Sequence, residues 1–169
     1  MKRIFLSAVM LLMLSLIVNA QIKTSRQYTF IDLDIKVKRC VVSGTQGYID
    51  LVFTNNTGKH MSNVAVNNYS SLVDRTTTAA YDDEGNVYYY HSSKNDNIYQ
   101  ITFGGGTGLY NNVDLPEDLP VKMRIDIKNI SEYATEFTML NLVLYNVSSV
   151  GSDGMGTVTF RNIPITRVE

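Results

Sequence analysis

The tyrosines of this chain are concentrated in one central stretch of the sequence. Of the 11 tyrosines, six fall between residues 81 and 110, in a segment that is also rich in Asn, Ser and Gly. Tyrosines among small polar residues are typical of recognition surfaces, because a rigid ring gives contact area at low entropic cost. The candidate ligand-binding residues are Tyr88, Tyr90, Tyr99 and Tyr110. The alternative is structural, since β-sheets favour tyrosine whether or not a ligand is present.

Oxygen-bearing side chains cluster in one short acidic segment. Asp82, Asp83, Glu84 and Asn86 resemble half of a calcium-binding loop. In such a loop, however, the glycine stands at the sixth position and a bidentate Glu at the twelfth, whereas here Gly85 is fourth and the twelfth residue is not Glu. Hairpin turns select the same residue types. We therefore interpret the segment as a turn and predict no metal site.

Residue patterns that indicate catalysis are weak. The sequence has no Gly-x-Ser-x-Gly motif, and its two histidines, His60 and His91, have no evident orienting partner. The glycine run at 104–108 lacks the Lys-Ser/Thr of a phosphate-binding loop. Three aspartates occupy polar positions of predicted strands: Asp32, Asp34 and Asp50. We predict no catalytic residues and no cofactor. A small extracytoplasmic hydrolase whose carboxylates meet only in the fold stays open as an alternative.

The elements that must position these residues are β-strands. Apolar and polar residues alternate with period two in Ile31–Lys38, Ile49–Thr54 and Val121–Lys128, a pattern that predicts strands with one buried face. Thr157–Ile163 continues the same pattern near the end of the sequence. Phe137–Tyr145 is almost continuously apolar, and its length favours a strand buried on both faces over a helix.

Turn residues separate the predicted strands. The acidic segment lies between Thr77–Tyr81 and Val87–His91 and predicts a hairpin. Ser131 could cap a single helical turn, but no amphipathic helix of normal length is apparent. The pattern predicts an all-β, antiparallel β-sandwich of about eight or nine strands, with residues 21–169 forming one domain.

The first 20 residues have the pattern of an export signal. Lys2 and Arg3 precede an uncharged apolar run, and small residues before Gln21 suit a signal peptidase. The run is shorter than the roughly 20 residues that span a bilayer, which argues against a membrane anchor. We expect removal of residues 1–20 and a periplasmic or secreted protein. Cys40, the only cysteine, lies among apolar residues and is predicted to be a buried thiol.

Net charge limits the classes of partner. Without Lys2 and Arg3 the 15 basic residues become 13 against 16 acidic ones, a net charge of about −3. Proteins that bind nucleic acid or anionic membranes without sequence specificity need a basic surface. We therefore predict neither nucleic acid nor, after removal of the leader, a membrane as partner.

Three segments resemble exported immunoglobulin-like β-sandwich domains of uncharacterised function from Gram-negative bacteria. They are Ile49–Gly58, the hairpin Tyr81–Tyr88 and Leu119–Ile125; the Cys…Trp…Cys core of true immunoglobulin domains is absent. The resemblance implies an extracytoplasmic accessory or binding domain. The expected function is a non-enzymatic binding or interaction module for a protein or glycan. Besides the hydrolase, a structural subunit that assembles through an edge strand is an alternative.

Overall fold

The computed structural model describes residues 25–28, 33–66, 78–89, 97–107, 112–147 and 156–169. The predicted leader, residues 1–20, lies outside the described residues. Within these ranges the chain forms thirteen strands: β1 (Ser25–Tyr28), β2 (Leu33–Ser43), β3 (Gln46–Asn55), β4 (Met61–Val66), β5 (Ala79–Asp82), β6 (Val87–Tyr89), β7 (Ile98–Phe103), β8 (Gly106–Thr107), β9 (Asn112–Leu115), β10 (Pro120–Lys128), β11 (Glu136–Tyr145), β12 (Gly156–Pro164) and β13 (Thr166–Val168). None of the described residues is helical.

The strands form two sheets, and the fold is all-β and sandwich-like. One sheet has the order β1-β12-β11-β4-β9, and β11 also pairs with β5, which carries β6 at its other edge. The second sheet has the order β13-β2-β3-β10-β7-β8. No described helix is long and apolar enough to cross a lipid bilayer. The sheet of β2, β3 and β10 positions the site described below.

Alternating side chains fill one hydrophobic core between the sheets. In β3, Ile49, Leu51 and Phe53 are buried while the residues between them are partly exposed, as the period-two pattern predicts. The ring of Phe53 lies 4.7 Å from that of Phe103 in β7. Burial of apolar surface of this kind, at roughly 25 cal/mol per Å2, is the main favourable contribution to folding.

Most predicted strands are confirmed, but the pairing is less regular than predicted. The apolar run 137–145 forms β11, and the acidic segment forms the turn of the β5–β6 hairpin. The thirteen described strands exceed the eight or nine predicted, because pieces as short as the two-residue β8 are too short to show an alternating pattern. Residues 132–133 form a turn in place of the possible helical turn at Ser131.

The last strand corrects the prediction of a purely antiparallel fold. Pro164 ends β12, as a residue without an amide donor should, but the chain then forms β13, which pairs in parallel with β2. The Arg167 guanidinium donates to the main-chain carbonyls of Gly44, Ser131 and Ala134, at 3.2, 2.6 and 3.0 Å. These bonds attach β13 to two loops as well as to the sheet edge.

Cys40 is a core residue, as predicted. Its side chain is 1% exposed, and burial raises the pKa of the thiol to about 12, although the charge of Arg167 opposes this shift. The thiolate is the reactive form of cysteine. We expect no modification of Cys40 by a thiol-specific disulfide reagent in the native protein, and one thiol per chain in denaturant, measured spectrophotometrically. Stoichiometric labelling of the native protein would contradict this burial.

Candidate functional site

A groove rich in basic side chains lies on the outer face of the second sheet. Its volume is about 630 Å3, and it is lined by residues of β2, β3, β7 and β10. We call it the basic groove and define it by its charged residues together with the apolar residue between them: Lys38, Arg39, Asp50, Val52, Lys122 and Arg124. Thus four cationic side chains face one carboxylate in this part of the described surface.

Strand alternation and one irregularity place these side chains together. Lys122 and Arg124 occupy successive outward positions of β10, and Asp50 and Val52 do so in β3. The ladder between β2 and β3 shifts its register between Val37 and Arg39. Such a bulge places an extra residue on one strand. As a result Lys38 and Arg39, adjacent in sequence, both line the groove.

A network of ion pairs crosses the groove at one end. Asp50 lies opposite Arg124 on one neighbouring strand and opposite Arg39 on the other. Arg124 donates from Nε and Nη2 to the two carboxylate oxygens, at 2.7 and 2.9 Å, and Arg39 donates from Nε at 2.8 Å. The Arg124 guanidinium also lies 3.8 Å from the ring centroid of Tyr48. Bidentate pairing and stacking are the geometry that arginine favours.

The electrostatics of this network hold Asp50 in its ionised form. Partial burial alone would raise the pKa of Asp50, but the hydrogen bonds and charges of Arg124 and Arg39 hold it below its usual value. The hydrogen bond to Asp50 in turn raises the pKa of Arg124. Asp126, the next outward residue of β10, has a raised pKa, because burial outweighs the nearby Arg124 charge. Asp50 is therefore a poor general acid and a good anchor for two arginines.

Two lysines complete the groove and differ from the arginines in their pairing. The side-chain ammonium groups of Lys38 and Lys122 have no hydrogen bond or ion pair to another described residue, unlike that of Lys36, whose Nζ lies 2.6 Å from Asp34. An unpaired ammonium group offers three donors to an incoming acceptor. The groove can therefore attract and bind an anion without first breaking an existing ion pair at these two positions.

The four tyrosines of the predicted ligand surface differ in their surroundings. Tyr88 is 1% exposed, and its ring packs edge-on against Phe137, 5.6 Å between centroids. This corrects the assignment of Tyr88 to a ligand surface, because its ring belongs to the core. Tyr99 is 43% exposed on the outer face of the second sheet, with Lys128 Nζ 6.0 Å from its ring. Tyr90 and Tyr110 lie outside the described residues.

The histidine and the acidic turn that were considered from the sequence as candidates for catalysis or metal binding lie outside the groove. His60 Nε2 lies 3.6 Å from Asp114 Oδ2, and both side chains are exposed. The Asp82 carboxylate accepts hydrogen bonds from the amides of Glu84 and Asn86 and from the side chains of Asn86 and Tyr88. Among the described residues no three His, Cys, Asp or Glu side chains gather in metal-binding geometry. His91 and Asp32 lie outside the described residues.

The basic groove was not predicted from the sequence, because the nearly balanced total charge of the chain gives no indication of a local cationic surface. The sequence has 15 basic and 16 acidic residues, yet the polar positions of β2 and β10 are mainly cationic. The signal was present in the alternation itself, since residues on one face of neighbouring strands must lie close together. What the alternation could not indicate is the bulge at Lys38 or the neighbouring order of β2, β3 and β10.

Comparison with protein-family profiles and with curated proteins found no match to this chain. The functional argument therefore depends on the geometry of the groove.

Proposed function

We propose that this protein is an exported, non-enzymatic binding module with an immunoglobulin-like arrangement of its sheets, acting in the periplasm or outside the cell. The basic groove is its ligand site, and the ligand carries negative charge. The observation that carries the proposal is the convergence of four cations from two strands on a groove of about 630 Å3. The export pattern of residues 1–20 supports the location.

The chemistry of the groove favours binding over hydrolysis. A pair of carboxylates with separated pKa values would suit acid–base hydrolysis, as in glycosidases. The groove instead presents Asp50, whose two oxygens are occupied by Arg39 and Arg124. A carboxylate that is held ionised by two arginines stabilises the site and leaves the remaining guanidinium N–H groups oriented for an acceptor.

The proposal predicts that an anionic ligand stabilises the protein through the groove. We would record thermal unfolding with inorganic phosphate, citrate, polyglutamate, polygalacturonate and a thymidine oligonucleotide as probes. A probe at 100 times its dissociation constant adds about 2.7 kcal/mol to the folded state. For a domain of this size that is a rise in Tm of about 5 °C or more. We expect at least one probe to give such a rise.

Two double variants make this result specific to the groove. Lys38→Gln with Lys122→Gln should abolish the rise in Tm, because it removes the two unpaired cations of the site. Lys59→Gln with Lys128→Gln removes the same charge elsewhere and should preserve it. Absence of stabilisation by every probe, or equal loss in both double variants, would contradict the groove as the ligand site.

A further inference from the structure

We infer that the ligand of the basic groove is an acidic polysaccharide whose chain lies along β3 and whose charged groups contact Lys38 and Lys122. The inference rests on the proposed function and specifies its ligand class. It follows from the spacing of the two walls of the groove, from the paired main chain of β3 that forms its floor, and from the types of side chain that line it.

The two walls of the groove suit a ligand with several charges. β2 and β10 flank β3, so the backbones that carry Lys38 and Lys122 are two strand spacings apart, about 10 Å. Along β10, Lys122 and Arg124 are two residues apart, about 7 Å in an extended strand. A small anion offers only one charged group to these cations. A chain with repeated negative groups can contact both walls and both positions along the strand.

The floor of the groove argues against a peptide. β3 is hydrogen-bonded to β2 on one side and to β10 on the other, so its main-chain groups are already paired. Peptides commonly bind sheets by adding a strand at a free edge, which the centre of this sheet does not offer. A peptide bound here would therefore have no main-chain groups of β3 to pair with. The exposed part of Val52 instead provides a small apolar contact for a sugar ring.

The lining also argues against single-stranded nucleic acid. Such ligands are held by aromatic side chains on which the bases stack. Aromatic residues are absent from the described lining of the groove, and the face of nearby Tyr48 is covered by the Arg124 guanidinium at 3.8 Å. An acidic sugar needs no stacking surface. Its carboxylates or sulfates pair with ammonium groups, and its hydroxyls accept or donate further hydrogen bonds.

The test is a direct affinity measurement by calorimetry on the purified protein. We expect polygalacturonate to bind and its fully methyl-esterified, and therefore uncharged, form not to bind. Galacturonate monomer should bind at least about tenfold more weakly, since it offers one carboxylate where the polymer offers several. Binding should weaken as ionic strength rises, because the contacts are between exposed charges. Lys38→Gln with Lys122→Gln should weaken polygalacturonate binding about tenfold, and Lys59→Gln with Lys128→Gln should leave it nearly unchanged.

Other outcomes separate this inference from the proposed function. Groove-dependent binding of polyglutamate or the thymidine oligonucleotide that is tighter than binding of polygalacturonate would overturn the polysaccharide and leave the anion site intact. The same holds for groove-dependent binding of phosphate alone. Equal affinity for the charged and the esterified polymer would overturn the charge-based recognition. Failure of every probe to bind would remove both the inference and the proposed function.

Discussion

Replacement of Gly104 by alanine is expected to destabilise the protein by about 3 kcal/mol or more. Gly104 forms the turn after β7 with φ of +59°, a conformation that costs an L-residue roughly 1–2 kcal/mol. A Cβ atom at this position would also overlap Cγ2 of Val113 in β9, which belongs to the other sheet. Overpacking of this kind costs about 1–3 kcal/mol more. Chemical denaturation monitored by circular dichroism measures the sum.

Gly44 provides a matched control for this substitution. Its φ is +56°, almost the same as that of Gly104, but an added Cβ would meet no atom within 4 Å. Gly44→Ala should therefore cost only the backbone strain, roughly 1–2 kcal/mol. Val113→Ala should recover part of the loss in the Gly104→Ala background, because the two sites are in contact. Equal losses in the two glycine variants would show that the turn does not pack against β9.

Replacement of Asp82 by alanine is the second change with a large expected effect, a loss of about 3 kcal/mol. The carboxylate is 3% exposed and accepts four hydrogen bonds, of which the bond from the Tyr88 hydroxyl, at 2.6 Å, is buried. That hydroxyl also accepts from the amide of Ser131, at 3.1 Å. Removal of the carboxylate leaves Asn86 and Tyr88 with unpaired donors. Hydrogen bonds to charged groups contribute roughly 1.5–3 kcal/mol each.

A double-mutant cycle separates this buried bond from the rest of the hairpin. Tyr88→Phe should cost about 1.5 kcal/mol, and its combination with Asp82→Ala should cost clearly less than the sum of the single losses. Glu84 lies in the same turn, but its side chain is exposed. Glu84→Ala should therefore change the free energy of unfolding by no more than about 0.5 kcal/mol. Strict additivity, or equal losses for Asp82→Ala and Glu84→Ala, would contradict a coupled network beneath the hairpin.

The sequence predicted those elements whose pattern is local. The alternation in β3 and β10 is complete over several residues, so one face had to be buried and the other exposed. The apolar run of β11 was correctly interpreted as a strand because its length is unusual for a helix. The β5–β6 hairpin followed from turn residues alone. In each case the deciding interactions lie within about ten residues of sequence.

What could not be predicted depends on distant partners. Tyr88 lies in a three-residue strand, too short for alternation to distinguish its inner from its outer face. Its burial is set by Asp82 and Phe137, which only the fold brings to it. The groove likewise depends on the order of three strands and on the bulge at Lys38. Total charge gave no indication of it, because the 16 acidic residues of the whole chain balance its 15 basic ones.

The parallel pairing of β13 with β2 gives the fold a direction of mechanical resistance. Tension that pulls Leu33 and Val168 in opposite directions loads this short ladder in shear, because the two strands run the same way. Its registered pairs, Thr166 with Val41 to Val168 with Ser43, then bear the load together rather than opening one by one. The Arg167 contacts to the loops at Gly44 and Ser131 add to that resistance. A module stretched along this axis would therefore keep its groove intact until the ladder as a whole yields.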